Sequence, residues 1–113
     1  KRLLAVIAAS LLSTAAYAAP VFNRVASFPV ELNHPEAAAT SSEIIAASDD
    51  GMTLVYSDSP GGGIGFIDIT DPSAPKALGY VAVEGEPTSV TVVGDKVYAA
   101  INTSADWPTV VGV

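Results

Sequence analysis

The sequence predicts an all-β chain: about one and a half four-stranded β-propeller blades, preceded by a signal-peptide helix. Three observations lead there. From Glu43 onward, short β-branched and apolar runs alternate with turn residues, and residues 43–87 hold four such runs. The pattern then restarts: "TSVTVV" (Thr88–Val93) stands where "EIIAAS" (Glu43–Ser48) stood, and "KVYAAINTS" (Lys96–Ser104) matches "TLVYSDS" (Thr53–Ser59). The offset is about 44 residues, inside the ~40–50 that four strands of a propeller blade occupy. Third, the first twenty residues differ in kind from all that follow.

That opening, "KRLLAVIAASLLSTAAYAAP", joins Lys1 and Arg2 to an apolar run from Leu3 to Leu12 and closes on Ala16-Tyr17-Ala18. A basic start, a short apolar centre and an A-x-A site make a secretory signal peptide over residues 1–18, cleaved after Ala18. Ser10, Ser13 and Thr14 interrupt the run too early for a membrane anchor, which needs about 20 apolar residues. Residues 19–42 follow as a linker. Within it "VFNRVASFPV" (Val21–Val30) is a candidate ring-closing strand, and "NHPEAAATSS" (Asn33–Ser42) a loop with His34 exposed in it.

Residues 43–87 read as one blade. "EIIAAS" is its innermost strand, small and β-branched. "DDG" (Asp49–Gly51) is expected to form a type I′ hairpin turn, and "MTLVYS" (Met52–Ser57) returns. "IGFIDIT" (Ile64–Thr70) is the third strand, "DPSAP" (Asp71–Pro75) a turn, and "KALGYVAV" (Lys76–Val83) the fourth strand, ended by "EGEP". Residues 88–113 are a partial second blade, with Gly94-Asp95 as its first turn and "PTVVGV" beginning a third strand. A ring needs about four to eight blades, each buried against its neighbours. The chain is therefore expected to be the N-terminal piece of a longer protein and not to fold alone.

Composition narrows the function. The net charge is −7, and beyond the signal segment three basic residues face twelve acidic ones, which excludes the clustered Lys and Arg of a nucleic-acid binder. No cysteine means no disulfide framework and no thiolate nucleophile. An exported chain without disulfides fits a bacterial periplasm or exterior, with no membrane span once the signal is removed. The single histidine, His34, rules out a multi-histidine metal site within the chain.

The glycines of "DSPGGGIGFIDITDPSAP" (Asp58–Pro75) invite a phosphate-loop reading, which the residues refuse. A Walker loop needs a Lys and a following helix, yet Gly61, Gly62, Gly63 and Gly65 lead into Phe66-Ile67-Asp68. The stretch reads as a loop feeding a buried strand, with Asp68 accepting from backbone or hydroxyl donors of a neighbouring strand. Propeller turns alternate between the two sides of the disc. The loops after the second and fourth strands thus gather Asp58, Ser59, Glu84, Glu86, Asn102, Asp106 and Trp107 on one side. From these, Asp58, Glu84, Glu86 and Asp106 form a candidate metal set, because such oxygen ligands suit Ca²⁺. A solvated acidic rim is the plainer alternative. Asp49, Asp50, Asp71 and Asp95 fall on the other side as turn-formers.

Over Phe22–Ser104, and most clearly in "TLVYSDSP", "IGFIDITDPSAP", "GEPTSV" and "NTS", the chain resembles the N-terminal propeller of exported bacterial proteins with a phytase-like, esterase-like domain. Some of these proteins are loosely called alkaline phosphatases. The piece "FIDITDPSAP" also resembles the LVIVD repeats of surface propellers. The first resemblance implies a phosphoric-ester or ester hydrolase whose catalytic region lies downstream, with a small-molecule ester as substrate and no catalytic residue in these blades. The second implies a non-catalytic propeller that binds cell-surface ligands.

Overall fold

The computed structural model describes residues 21–104. The signal-peptide segment, Asp106, Trp107 and the start of a third strand in the second unit lie outside the described residues. Within them the chain is all-β. Strands β1 (Ile45–Ala47), β2 (Thr53–Asp58), β3 (Gly63–Asp68) and β4 (Lys76–Ala82) form one antiparallel sheet in the order β1-β2-β3-β4. Strands β5 (Glu86–Val93) and β6 (Lys96–Asn102) form a separate antiparallel hairpin. No helix among the described residues is long and apolar enough to cross a membrane.

Each of the six strands expected between Glu43 and Ser104 is present, with ends moved by a few residues. The β1–β2 turn differs from expectation. A type I′ turn needs positive φ at both central residues, and among the described residues only glycines have it, Gly51 at 71°. The carbonyl of Ser48 instead accepts the Gly51 N–H at 2.9 Å, and Asp50 Oδ1 accepts from Met52 N at 2.9 Å and Ser48 Oγ at 2.6 Å. Asp50 makes the turn with its carboxylate while Gly51 supplies the left-handed backbone. Those hydrogen bonds, first the one from Ser48, hold the Asp50 carboxyl below its usual range. Asp71 does the same for the β3–β4 turn, accepting from Ser73 N at 3.0 Å and Ser73 Oγ at 2.6 Å. Asp68, at the end of β3, accepts from Thr70 N at 2.8 Å.

The register sorts the four-stranded sheet into two unlike faces. Val55 pairs with Phe66 and Ser57 with Ile64, so these four share one face. Val55 and Ile64 there cluster with Val90 of β5, flanked by Phe66, Val83 and Val92. β5 packs across β1, β2 and β3, so the hairpin lies against this apolar face. Burying each such aliphatic side chain contributes about 1.5–3 kcal/mol.

The opposite face carries Leu54, Tyr56 and Asp58 of β2 opposite Ile67, Gly65 and Gly63 of β3, with Tyr80 of β4 beside Gly65. Residues 21–42 lie over it as an irregular strap with one 3₁₀ turn at Val30–Leu32. Among the described residues the strap forms no strand. Val25, Ala26 and Phe28 cover Leu54, Ile67 and Ile69, leaving an apolar groove of about 380 Å³ with Arg24 at its lining.

Candidate functional site

The glycines of β3 and its preceding loop are placed by the two tyrosines. A Cβ at Gly65 would collide with the ring of Tyr56, and one at Gly63 would come within 2.5 Å of the Tyr80 ring. Tyr56 and Tyr80 thus lie flat across β3 from either side, and only glycine lets them. At Gly61 a Cβ would meet the Asp58 carboxylate and, at 2.8 Å, the Tyr80 hydroxyl. The Gly-rich stretch is a floor for two aromatic rings and a buried carboxylate. Gly62, with φ 71°, turns the loop, which closes with Gly62 N donating to Ser59 O at 3.2 Å.

Asp58 is fully buried. Its Oδ1 accepts two backbone donors, Ser41 N of the strap at 2.8 Å and Gly61 N of the β2–β3 loop at 2.9 Å. Its Oδ2, the Tyr80 hydroxyl, Ser41 Oγ and His34 Nδ1 are buried with no hydrogen-bond partner. His34 was expected in solvent, but its ring stacks on Tyr80 with centroids 4.2 Å apart. Burial, and then the nearby carboxylate of Asp58, push the Tyr80 hydroxyl up to about 12. Burial also raises Tyr56, partly offset by a hydrogen bond from Asn33.

Asn33, in a stretch whose composition predicts a loop, reaches into the sheet. Between Phe66 and Ile67 the β3–β4 register shifts, so Leu78 is extra on β4 and the ladder opens. Asn33 fills the opening as a peptide group would. Its Nδ2 donates to Phe66 O at 2.9 Å and to the Tyr56 hydroxyl at 3.1 Å, and its Oδ1 accepts from Gly79 N at 3.1 Å.

The rim lies at the same end of the sheet. Asp58 pairs with Gly63, which pairs with Ala82, two residues before Glu84. Ser59 Oγ lies 2.9 Å from Pro87 O and 2.6 Å from Glu43 Oε2, so its one proton is shared between these two acceptors, and Val83 N donates to Gly62 O at 3.0 Å. Glu84, Gly85 and Glu86 line an open cleft of about 450 Å³ with Asn102, Thr103 and Ser104. Glu84, Glu86 and Asn102 are therefore together, while Asp58 is turned inward with one oxygen engaged by backbone donors. Asn102 Oδ1 is itself occupied by Ser104 N at 3.0 Å and Ser104 Oγ at 2.7 Å. Among the described residues no three His, Cys, Asp or Glu side chains converge as a metal-holding group. The arrangement offers hydrogen-bond acceptors at an exposed rim.

Comparison with protein-family models, with curated proteins and with solved structures returned no match.

Proposed function

We propose that this chain is the N-terminal propeller scaffold of an exported phosphoric-ester or ester hydrolase, with the bond-breaking residues outside it. The observation that carries the scaffold reading is the stacking of β5 on the apolar face of a complete four-stranded meander. An outer strand, β4, leads straight into β5, which packs back across β1, β2 and β3 of the preceding sheet, as the innermost strand of a next blade would. The hairpin leaves Val93, Val97 and Tyr98 exposed, apolar surface that further strands and a further blade would cover. The hydrolase part rests on the resemblance of "TLVYSDSP", "IGFIDITDPSAP" and "GEPTSV" to the propellers of phytase-like proteins. In this reading the rim cleft of Glu84, Glu86 and Asn102 faces substrate or a hard cation such as Ca²⁺, and the protein works in the periplasm or outside the cell.

The test is hydrolysis of phosphate monoesters and carboxylic esters by the full-length protein, with and without Ca²⁺. Glu84→Gln and Glu86→Gln that raise KM or the Ca²⁺ requirement while kcat is kept support a binding rim with the bond-breaking residues elsewhere. Absence of turnover on every ester class would instead favour a ligand-binding propeller of the LVIVD kind.

A further inference from the structure

The Asp58 carboxylate touches two parts of the chain that have no other reason to move together. Ser41 belongs to the strap over the Tyr56–Tyr80 face, and Gly61 belongs to the loop at the rim. From that loop the hydrogen bonds run on, Val83 N to Gly62 O and Ser59 Oγ to Pro87 O, into the connection that carries Glu84 and Glu86.

The strap itself is lightly held. No residue from 21 to 42 is fully buried, and its one regular element is the single 3₁₀ turn. From Asn33 onward its grip on the sheet is two polar groups and one ring: the Asn33 amide, the Ser41 N–H on Asp58 and the His34 ring on Tyr80. Along the same seam lie four buried polar atoms without partners, two from the strap and two from the sheet. Few buried apolar contacts and unsatisfied polar groups belong to the low-stability end of a fold, where segments open before the whole unfolds.

We infer that residues 30–41 are a releasable latch and that Asp58 is the positioning residue tying this latch to the rim loop 59–62, by accepting Ser41 N and Gly61 N on one oxygen. Asp58 acts here as a hydrogen-bond acceptor, not as a cation ligand. This inference is independent of the hydrolase reading, because it concerns only contacts inside residues 30–87. An amide serves the same purpose. In Asp58→Asn the Oδ1 still accepts both N–H groups, and the new Nδ2 stands where Oδ2 was, over Gly61.

Amide hydrogen exchange on the full-length protein reads this directly. In the wild type, Ser41 and Gly79 are expected to exchange about tenfold or more faster than Val55 and Phe66 in the β2–β3 ladder, through local opening. Asp58→Ala should speed Ser41 and Gly61 together by about tenfold or more, and Val83 with them, while Asp58→Asn stays within about threefold of the wild type. Asn33→Ala should speed Gly79 and leave Gly61 unchanged. Exchange of Ser41 at the ladder rate in the wild type would overturn the latch. Exchange in Asp58→Asn as fast as in Asp58→Ala would overturn the acceptor role and point to a need for charge. If Asp58→Ala does not fold, the Asp58→Asn result decides by itself. Loss of ester hydrolysis with unchanged exchange would count against the scaffold reading and leave the latch intact.

Discussion

The two faces of the β1–β4 sheet are built on opposite principles. One is aliphatic: Val55 and Ile64 meet Val90 of the neighbouring hairpin, with Phe66, Val83 and Val92 around them. The other is polar and aromatic: Tyr56 and Tyr80 lie over glycines, Asp58 is buried among them, and the strap is fastened by Asn33 and Ser41. An aliphatic contact is non-directional and contributes in proportion to buried area. A polar contact fixes position, and its cost comes when one partner is missing. The first face therefore glues sheet to sheet, and the second sets where one segment sits.

Substitutions should separate the two faces, measured as denaturant unfolding of the full-length protein. The largest effect is expected for Ile64→Ala, about 2–5 kcal/mol destabilising, since it removes branches at the centre of the aliphatic cluster. Gly65→Ala comes next. Its Cβ would strike the Tyr56 ring, and the strain should cost about 1–3 kcal/mol or more. Asn33→Ala should cost about 1–3 kcal/mol, because Gly79 N and Phe66 O lose their partner in the ladder. An Asn33→Ala loss below a few tenths would show that the bulge closes without the amide.

The smallest effect should be that of Tyr80→Phe. The Tyr80 hydroxyl has no partner, so at neutral pH its removal is expected to be neutral or slightly stabilising. Its mark is in alkali. The folded-state value is raised to about 12 from the ordinary 10.0, so the contribution is fully present below pH 10 and is lost as the pH rises toward 12. Wild type should lose stability over that window more steeply than Tyr80→Phe. Identical alkaline profiles would mean that Tyr80 is not held neutral by its surroundings.

Much of the first face was legible in the sequence. The runs around Val55, Ile64 and Val90 alternate in the period of strands, and Asp-Gly, Asp-Pro and Gly-Asp mark the turns. The turn type at Asp50 was not, because composition does not distinguish a positive φ at Asp50 from a carboxylate folded onto Met52 N. The second face was nearly invisible. Asn33 reaches Phe66 across 33 positions and Gly79 across 46, and nothing local marks an amide as a ladder partner. One signal was available: Gly61, Gly63 and Gly65 recur at period two, the spacing of a single face of a strand, with Tyr56 and Tyr80 on the flanking strands. Glycines in that register imply rings lying over them. His34 beside Pro35 looked like a loop residue for the same reason: its partner Tyr80 is far along the chain.

The rim is intermediate. Alternation of turns was enough to bring Glu84, Glu86 and Asn102 to one cleft. It gave no means of telling that Asp58, at the same end, would point inward, since that depends on Ser41 arriving from the strap.

The four-stranded sheet and the β5–β6 hairpin meet through the aliphatic face, and a double-mutant cycle between Val55 and Val90 in the full-length protein tests this most directly. Both residues are nearly fully buried in one cluster, at 2% and 6% exposure, on β2 and β5. Val55→Ala and Val90→Ala should be non-additive, with a coupling of about 0.5–2 kcal/mol. Additivity within about 0.3 kcal/mol would mean that the sheet and the hairpin do not share a core.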